Sequence, residues 1–168
     1  MKKILFVLVA VVGLTASAQN DNNSSALSKN SWVVEINTGS YAIGSTAFSL
    51  ISVDGSTFYS VGAEAGYFIA DDLALKAGLG YGGGDDSDGV FSYKLGAKYY
   101  VIGEFPIGVD FTGNTANGDS TNWVGLQGGY AWFVANNVSI EPTLRYNVAI
   151  DKEAASVFQG LIGFAFHF

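Results

Sequence analysis

The chain of 168 residues contains no cysteine, only two prolines and a single histidine. The absence of cysteine excludes a disulfide scaffold, a lipid-anchored lipoprotein and a thiol nucleophile. With one histidine and no cysteine, the sequence offers no cluster of metal ligands, and we expect neither a bound metal nor a cofactor. No apolar run reaches the ~20 residues that a membrane-spanning helix needs.

Basic residues are scarce as well. Lysine and arginine number 8 against 15 aspartates and glutamates, for a net charge of −7 at pH 7, so nucleic acid is not expected as a partner. Glycine, with 22 residues, and apolar side chains, at 49% of the sequence, are abundant instead. Mean hydropathy is +0.27. A soluble acidic domain seldom combines these values, whereas they suit a β-barrel that faces lipid.

The first 18 residues predict a secretory signal peptide. Two lysines precede an apolar run from Ile4 to Leu14, and the A-x-A pattern that ends at Ala18 is a cleavage site. The following segment, 19–31, is rich in Asn and Ser and is predicted to be a flexible periplasmic leader without a core. Residues 32–168 then form the barrel domain.

Eight segments beyond the leader have strand composition and are separated by turn signals. Short connections of about four residues alternate with longer ones rich in Gly, Asp, Asn and Ser, which is typical of an outer-membrane barrel with periplasmic short turns. An even number of strands places both termini at that end. The sequence predicts an all-β fold, an eight-stranded antiparallel up-and-down transmembrane β-barrel. The predicted strands are 32–41, 58–68, 73–81, 90–101, 106–113, 122–133, 138–149 and 157–168.

Charged residues inside these segments keep to one parity of the two-residue strand period, and apolar residues take the other. In 90–101, Lys94 and Lys98 share a parity while Leu95 lies on the opposite one. A charge on the lipid face costs roughly 2–4 kcal/mol at mid-bilayer, so the polar parity is predicted to face the lumen. The segment 122–133 fits less well, because Trp123 and Phe133 share the parity of a glutamine. The predicted lumen charge network contains four acids and four bases: Glu35, Glu64, Lys76, Lys94, Lys98, Asp110, Glu141 and Arg145.

Aromatic residues cluster at the short-turn ends of the predicted strands. Such a ring is what an aromatic girdle at a membrane interface needs, although Tyr and Phe also favour ordinary sheet core. The closing segment carries Phe164, Phe166 and Phe168 on one parity, which favours a strand with an apolar outer face. The predicted periplasmic girdle consists of Trp32, Tyr67, Tyr99, Tyr130 and Trp132.

The chain resembles small outer-membrane β-barrels of the OmpA/OmpX-like type, in the branch called the outer membrane protein beta-barrel domain. The segment from Gly66 to Leu75 is similar to a strand–turn–strand signature of that branch. The ending Phe164-x-Phe166-x-Phe168 resembles the assembly signal that the family presents to the barrel assembly machinery. The resemblance spans about 32–168 and implies insertion in the outer membrane of a Gram-negative cell envelope, with no catalytic residues common to the family.

An eight-stranded barrel has an interior just wide enough for side chains or one small ligand. We therefore expect a plugged, salt-bridged lumen, with the chain acting as a structural or cell-surface interaction protein. The alternative is a porin-like narrow channel for small solutes or ions. The expected partners are outer-membrane lipid and the barrel assembly machinery during biogenesis; an external partner is not identified, and we expect a monomer.

An enzymatic barrel ranks third among the functions. Hydrolytic sites usually need a positioned base, and the only histidine, His167, has no Ser or Asp beside it in the local sequence; we expect no catalytic residues. The acidic stretch Asp85–Asp88 is either a solvated loop or a weak Ca²⁺ site. A soluble lipocalin-like barrel is the rival fold, and it would reverse the faces, with charges outside and an apolar lumen.

Overall fold

The computed structural model describes residues 26–39, 46–85 and 87–168; the predicted signal peptide and most of the predicted leader lie outside them. No helix in the described part of the chain is long and apolar enough to cross a membrane. The described residues form ten β-strands. These are β1 (Trp32–Thr38), β2 (Ala47–Val53), β3 (Ser56–Ala70), β4 (Leu73–Gly84), β5 (Ser87–Val101), β6 (Phe105–Ala116), β7 (Asp119–Gly129), β8 (Trp132–Ala135), β9 (Val138–Ala149) and β10 (Val157–His167).

The strands form a closed all-β barrel. Each strand from β3 to β6 pairs antiparallel with the next one, β7 pairs with β9, and β9 pairs with β10. Closure comes from β1, which pairs antiparallel with β10 on one side and with β3 on the other. Closing the sheet satisfies the backbone groups of the wall without leaving free edges along most of its height.

The prediction of eight antiparallel strands is wrong in two places. Strand β2 lies in the predicted loop 42–57, where it runs parallel to β1 through Asn37↔Ala47 and antiparallel to β3. Nine strands of the described chain therefore build the wall, with one parallel pair. The predicted strand 122–133 is split into β7 and β8, because the N–H groups of Tyr130 and Ala131 leave the regular ladder and donate to the carbonyl oxygens of Pro142 and Glu104. Strand β8 then pairs only with β9 among the described strands.

At the end of the barrel opposite the short turns, the strands extend further than the sequence predicts. Asp54–Gly55 and Asn117–Gly118 have positive φ at both residues, at 51° and 87° and at 53° and 90°. This is the two-residue hairpin turn that Asp-Gly and Asn-Gly favour, since its twist matches that of the flanking strands. Strands β3 and β5 reach 15 residues each, beyond the 9–11 or so that cross a bilayer.

Burial alternates along the strands and separates two faces. In β4 the pattern is strictly alternate from Ala74 to Gly82, with the apolar side chains Leu75 and Leu79 exposed. Within the described strands, the charged side chains are buried except for Asp88 and Asp119, which lie near the starts of β5 and β7. The outer face is therefore apolar and the inner face polar, which is the reverse of a soluble lipocalin-like barrel.

An apolar cluster closes the interior at the short-turn end. It contains Leu27, Phe68 and Tyr100, with Phe133 packed against it. Leu27 belongs to the predicted leader, so residues 26–31 differ from the expected segment without a core. Their backbone is tied to the barrel, since Asn30 donates to the carbonyl oxygen of Phe68 and Leu27 accepts from the N–H of Asp72.

Candidate functional site: a buried ion-pair cluster in the barrel interior

Strands β1, β3, β4, β5, β6 and β9 bring eight ionisable side chains into the interior. All eight are at most 9% exposed, and each lies on the inner parity of its strand. Burial of this many charges in a narrow space is costly unless each one is paired. The members of this interior ion cluster are Glu35, Glu64, Lys76, Lys94, Lys98, Asp110, Glu141 and Arg145.

Six of these side chains form one continuous chain of ion pairs. Lys76 contacts both Glu35 and Glu64, with its Nζ 2.7 Å from Oε2 of Glu64. Lys94 extends the chain beyond Glu64. Lys98 extends it at the other end, since its Nζ lies 2.7 Å from Oε1 of Glu35 and also contacts Glu141. The chain therefore crosses the lumen between strands that are not neighbours in the wall.

Arg145 and Asp110 form a separate, two-pronged pair. The Nη1 and Nη2 atoms of Arg145 donate to Asp110 at 2.5 and 2.6 Å. Nη1 also donates to Gln127 at 2.9 Å, and Nε donates to Asn147 at 2.8 Å. The planar guanidinium is thus held in one orientation, which a lysine at this position would not reproduce.

Uncharged side chains complete the hydrogen bonding of the carboxylates. Oε1 of Glu64 accepts from Thr46 Oγ1 at 2.7 Å, and Oε1 of Glu141 accepts from Tyr100 Oη at 3.0 Å and from Ser139 Oγ at 2.9 Å. Sequence reasoning missed these partners. Tyr100 shares the inward parity of Lys98, so that parity was the signal that separates it from the outward aromatics.

Glycines stand beside the charged side chains across the wall. Lys76 has Gly66 and Gly96 as its register partners on either side, and Asp110 lies between Gly96 and Gly125. A Cβ added at Gly125 would lie 2.1 Å from Nη2 of Arg145. These glycines supply the room in which long charged side chains fold over the inner face.

The two parts of the ion cluster are separated by a small space. It has a volume of about 10 Å³ and is lined by residues that include Lys94, Asp110 and Gln127. That volume is about what one water molecule needs, and the lining supplies the polar partners that a buried water requires. The interior at this level is filled by side chains.

His167 lies in the interior at the short-turn end of the barrel, packed among aromatic rings. Its ring centroid is 5.4 Å from that of Phe133, and it is 1% exposed. The structure brings Ser139 close to it, with Oγ 3.3 Å from Nε2, a neighbour that the local sequence did not show. Ser139 donates its hydroxyl to Glu141, whereas a hydrolytic triad places the acid on the histidine. The geometry is that of a packed structural contact.

The five aromatic residues assigned to a girdle all lie at the short-turn end. Trp32, Tyr99, Tyr130 and Trp132 are exposed, and the half-buried Tyr67 packs on Trp32 with ring centroids 5.0 Å apart. Their role at a membrane interface stays a prediction.

The three phenylalanines of the proposed assembly signal lie in β10 or immediately after it. Phe164 is exposed, and Phe166 and Phe168 are half-buried. Phe168 exchanges two backbone hydrogen bonds with Trp32, at 2.8 and 3.0 Å. The end of the chain is therefore part of the closing seam of the barrel.

The acidic stretch after β4 is described for all its residues except Asp86. Asp85 accepts a hydrogen bond from the N–H of Thr57 at 3.0 Å, and Asp88 accepts from Nδ2 of Asn117 at 2.7 Å. Both carboxylates thus tie neighbouring hairpins together.

Comparison with known proteins identifies the fold. No protein-family model and no curated protein matches the chain. The N-terminal β-barrel domain of Pseudomonas aeruginosa OprF is similar, with a TM-score of 0.55 and 16% identity over 83% of this chain and 98% of that one. The Yersinia pestis outer membrane protein Ail is similar with a TM-score of 0.50 and 12% identity, over 83% and 100%. The resemblance to small outer-membrane barrels is therefore confirmed as one of fold.

Proposed function

We propose that the protein is an integral outer-membrane β-barrel with a plugged lumen, acting as a structural or cell-surface interaction protein. The observation that carries this proposal is the opposite polarity of the outer and inner faces of the barrel wall. The outer face is apolar around the wall, and the inner face holds a self-neutralising ion cluster. A barrel that faces water would expose its charges and bury its apolar residues instead.

The apolar face supports insertion in a lipid bilayer. Leu79, Leu95 and Leu144 each expose 60% or more of their surface, on strands β4, β5 and β9. Contiguous apolar surface of this extent is a liability in water, but it is the ordinary outer surface of a transmembrane barrel. The exposed aromatic residues at the short-turn end fit the interface on the periplasmic side.

The closed interior supports a role other than bulk transport. The ion cluster spans the lumen at mid-height, and the apolar cluster around Leu27, Phe68 and Tyr100 fills the short-turn end below it. Ions moving through would have to displace paired charges and then cross an apolar layer. A narrow channel is the competing function, and it requires both layers to open.

The opposite end of the barrel supports an interaction role. The β2–β3 hairpin carries exposed apolar side chains on both faces, among them Leu50, Ile51 and Val53. Strand β2 pairs with β1 through only two residue pairs, so most of its other edge has no strand partner among the described residues. Apolar strands with open edges are surfaces on which other chains dock.

Planar-bilayer conductance of the purified, full-length protein tests the plugged lumen. Insertion is first verified by a shift in gel migration between heated and unheated samples. We expect long periods at baseline without steady open-channel current. A stable, large conductance in protein that shows the migration shift would overturn the plug and establish the channel.

A further inference from the structure

A groove of about 610 Å³ opens at the short-turn end of the barrel. Buried or partly buried apolar side chains of Leu27, Ala131 and Phe133 line its floor. Glu104 and the aspartates of the β3–β4 turn, Asp71 and Asp72, lie on its rim. We refer to it as the mouth groove. It is distinct from the ion cluster, which lies deeper in the barrel, beyond the apolar layer.

The rim of the mouth groove carries three carboxylates. No ion pair among the described residues involves Asp71, Asp72 or Glu104. Asp71 accepts a hydrogen bond from the backbone N–H of Lys29 at 2.8 Å. Partial burial, and then the neighbouring charge of Asp71, raise the pKa of Asp72 above its ordinary value. Three carboxylates that share one rim would stabilise a cation brought close to them.

An open strand edge borders the groove. Strand β8 pairs with β9 along one edge, and no second strand pairs with it in the described part of the chain. The contact between the N–H of Ala131 and the carbonyl oxygen of Glu104, at 2.7 Å, closes the wall just above this edge. Of the β8 residues, Trp132 and Phe133 line the groove. Such an edge is a template for an added strand.

We propose that the mouth groove binds an extended, basic segment of another polypeptide, which adds as a strand to β8. Successive side chains of a strand point to opposite faces, so an alternating segment places apolar residues over Leu27 and Phe133 while its lysines or arginines reach Asp72 and Glu104. Charge complementarity selects a basic partner. The location of that partner in the periplasm rests on the proposed function, whereas the binding itself does not.

Fluorescence anisotropy with labelled hexapeptides tests this in non-ionic detergent micelles. The probe alternates valine and lysine, and one control peptide alternates valine and glutamate. A second control keeps the valine–lysine sequence but is N-methylated at alternate backbone positions, which removes the donors needed for strand pairing. We expect the valine–lysine peptide to bind, the valine–glutamate peptide not to bind, and N-methylation to weaken binding at least tenfold.

Matched variants locate the site. Glu104→Gln is expected to weaken binding about twofold to fivefold, the range for one exposed ion pair. Asp54→Asn makes the same charge change at the opposite end of the barrel and is expected to leave binding unchanged. Equal losses in the two variants, or unchanged binding of the N-methylated peptide, would overturn the proposal. So would self-association of the protein that the peptide abolishes, because the occupant would then be a second copy.

The peptide titration and the conductance experiment fail independently. A channel that conducts would overturn the plugged lumen while leaving peptide binding at the mouth measurable. Absence of peptide binding in protein that inserts and stays closed would overturn only the groove assignment.

Discussion

Glu35 and Glu64 lie directly opposite each other on the neighbouring strands β1 and β3, and both carboxylates are buried. Two like charges in this position repel each other. Lys76 contacts both carboxylates, while Lys98 holds Glu35 and Lys94 holds Glu64 from the far side. Lys76 therefore offsets the repulsion between the two carboxylates where β1 pairs with β3 and closes the barrel.

Replacing Lys76 with methionine is expected to lower the free energy of unfolding by about 3–5 kcal/mol, as for other buried pairs that lose one partner. Adding Glu35→Gln to Lys76→Met should recover a large part of the loss, because Lys98–Glu141 and Lys94–Glu64 then remain as two balanced pairs. Urea unfolding in lipid vesicles measures both. Asp88→Asn, at an exposed contact near the start of β5, is the control and should change stability by about 0.5 kcal/mol or less. A double variant no more stable than the single one would contradict this account.

Leu95→Arg is expected to impair insertion into vesicles. Leu95 is 67% exposed on the outer face near the middle of β5, and an arginine on the lipid face costs about 2–4 kcal/mol at the midplane. Val53→Arg is the matched control, since Val53 is also exposed, at 56%, but lies beside the tip of the β2–β3 hairpin. The fraction of protein that shows the heat-dependent gel shift reports insertion. Equal yields for the two variants would contradict the assignment of the outer face of β5 to lipid.

Gly125→Ala is expected to destabilise the barrel by about 1–3 kcal/mol, the usual cost of overpacking. The added methyl group would meet Arg145 and Asp110, so their two-pronged hydrogen bond must shift. Gly128→Ala, in the same strand, meets nothing within 4 Å and should be close to neutral. The comparison is between the unfolding midpoints of the two variants. Equal effects would show that alanine destabilises β7 in general and not through a clash with the Arg145–Asp110 pair.

Phe168→Ala is expected to reduce the amount of barrel inserted in cells while leaving the free energy of unfolding of refolded protein within about 1 kcal/mol of the parent. The backbone bonds between Phe168 and Trp32 do not depend on the side chain, so only recognition during assembly should suffer. Phe158→Ala, at the far end of β10, removes a side chain that is 65% exposed and serves as control. Normal insertion of the Phe168 variant would refute its role in the assembly signal.

The alternation of side chains along each strand was enough to predict which charged residues of the wall face the lumen. Lys94 and Lys98 share a face because strand side chains alternate strictly, and the structure buries both. The same alternation also predicts that Phe68 and Tyr100 face the interior, because they share the parity of Glu64 and Lys98. The predicted girdle took only outward residues of the aromatic clusters, and no role was assigned to the inward ones, which form the apolar cluster at the short-turn end.

Hairpin turns were a second readable signal. Asp54-Gly55 and Asn117-Gly118 are strong two-residue turn sequences, and they bound strands in the structure. Assigning their surroundings to long loops shortened the strands and concealed β2. By contrast, the break at Tyr130 and Ala131 has no local signature, since it depends on carbonyl oxygens from Pro142 and Glu104 that lie elsewhere in the chain.

The amino-acid sequence by itself determined the class of fold and the polarity of its two faces, because the two-residue period and the avoidance of outward charge are local properties. Only the tertiary structure decided which acid meets which base. Lys98 reaches Glu35 across the lumen from a strand that is not its neighbour, and Leu27 folds back to close the short-turn end. Such contacts follow from the closure and register of the whole barrel, which no single segment of the chain specifies.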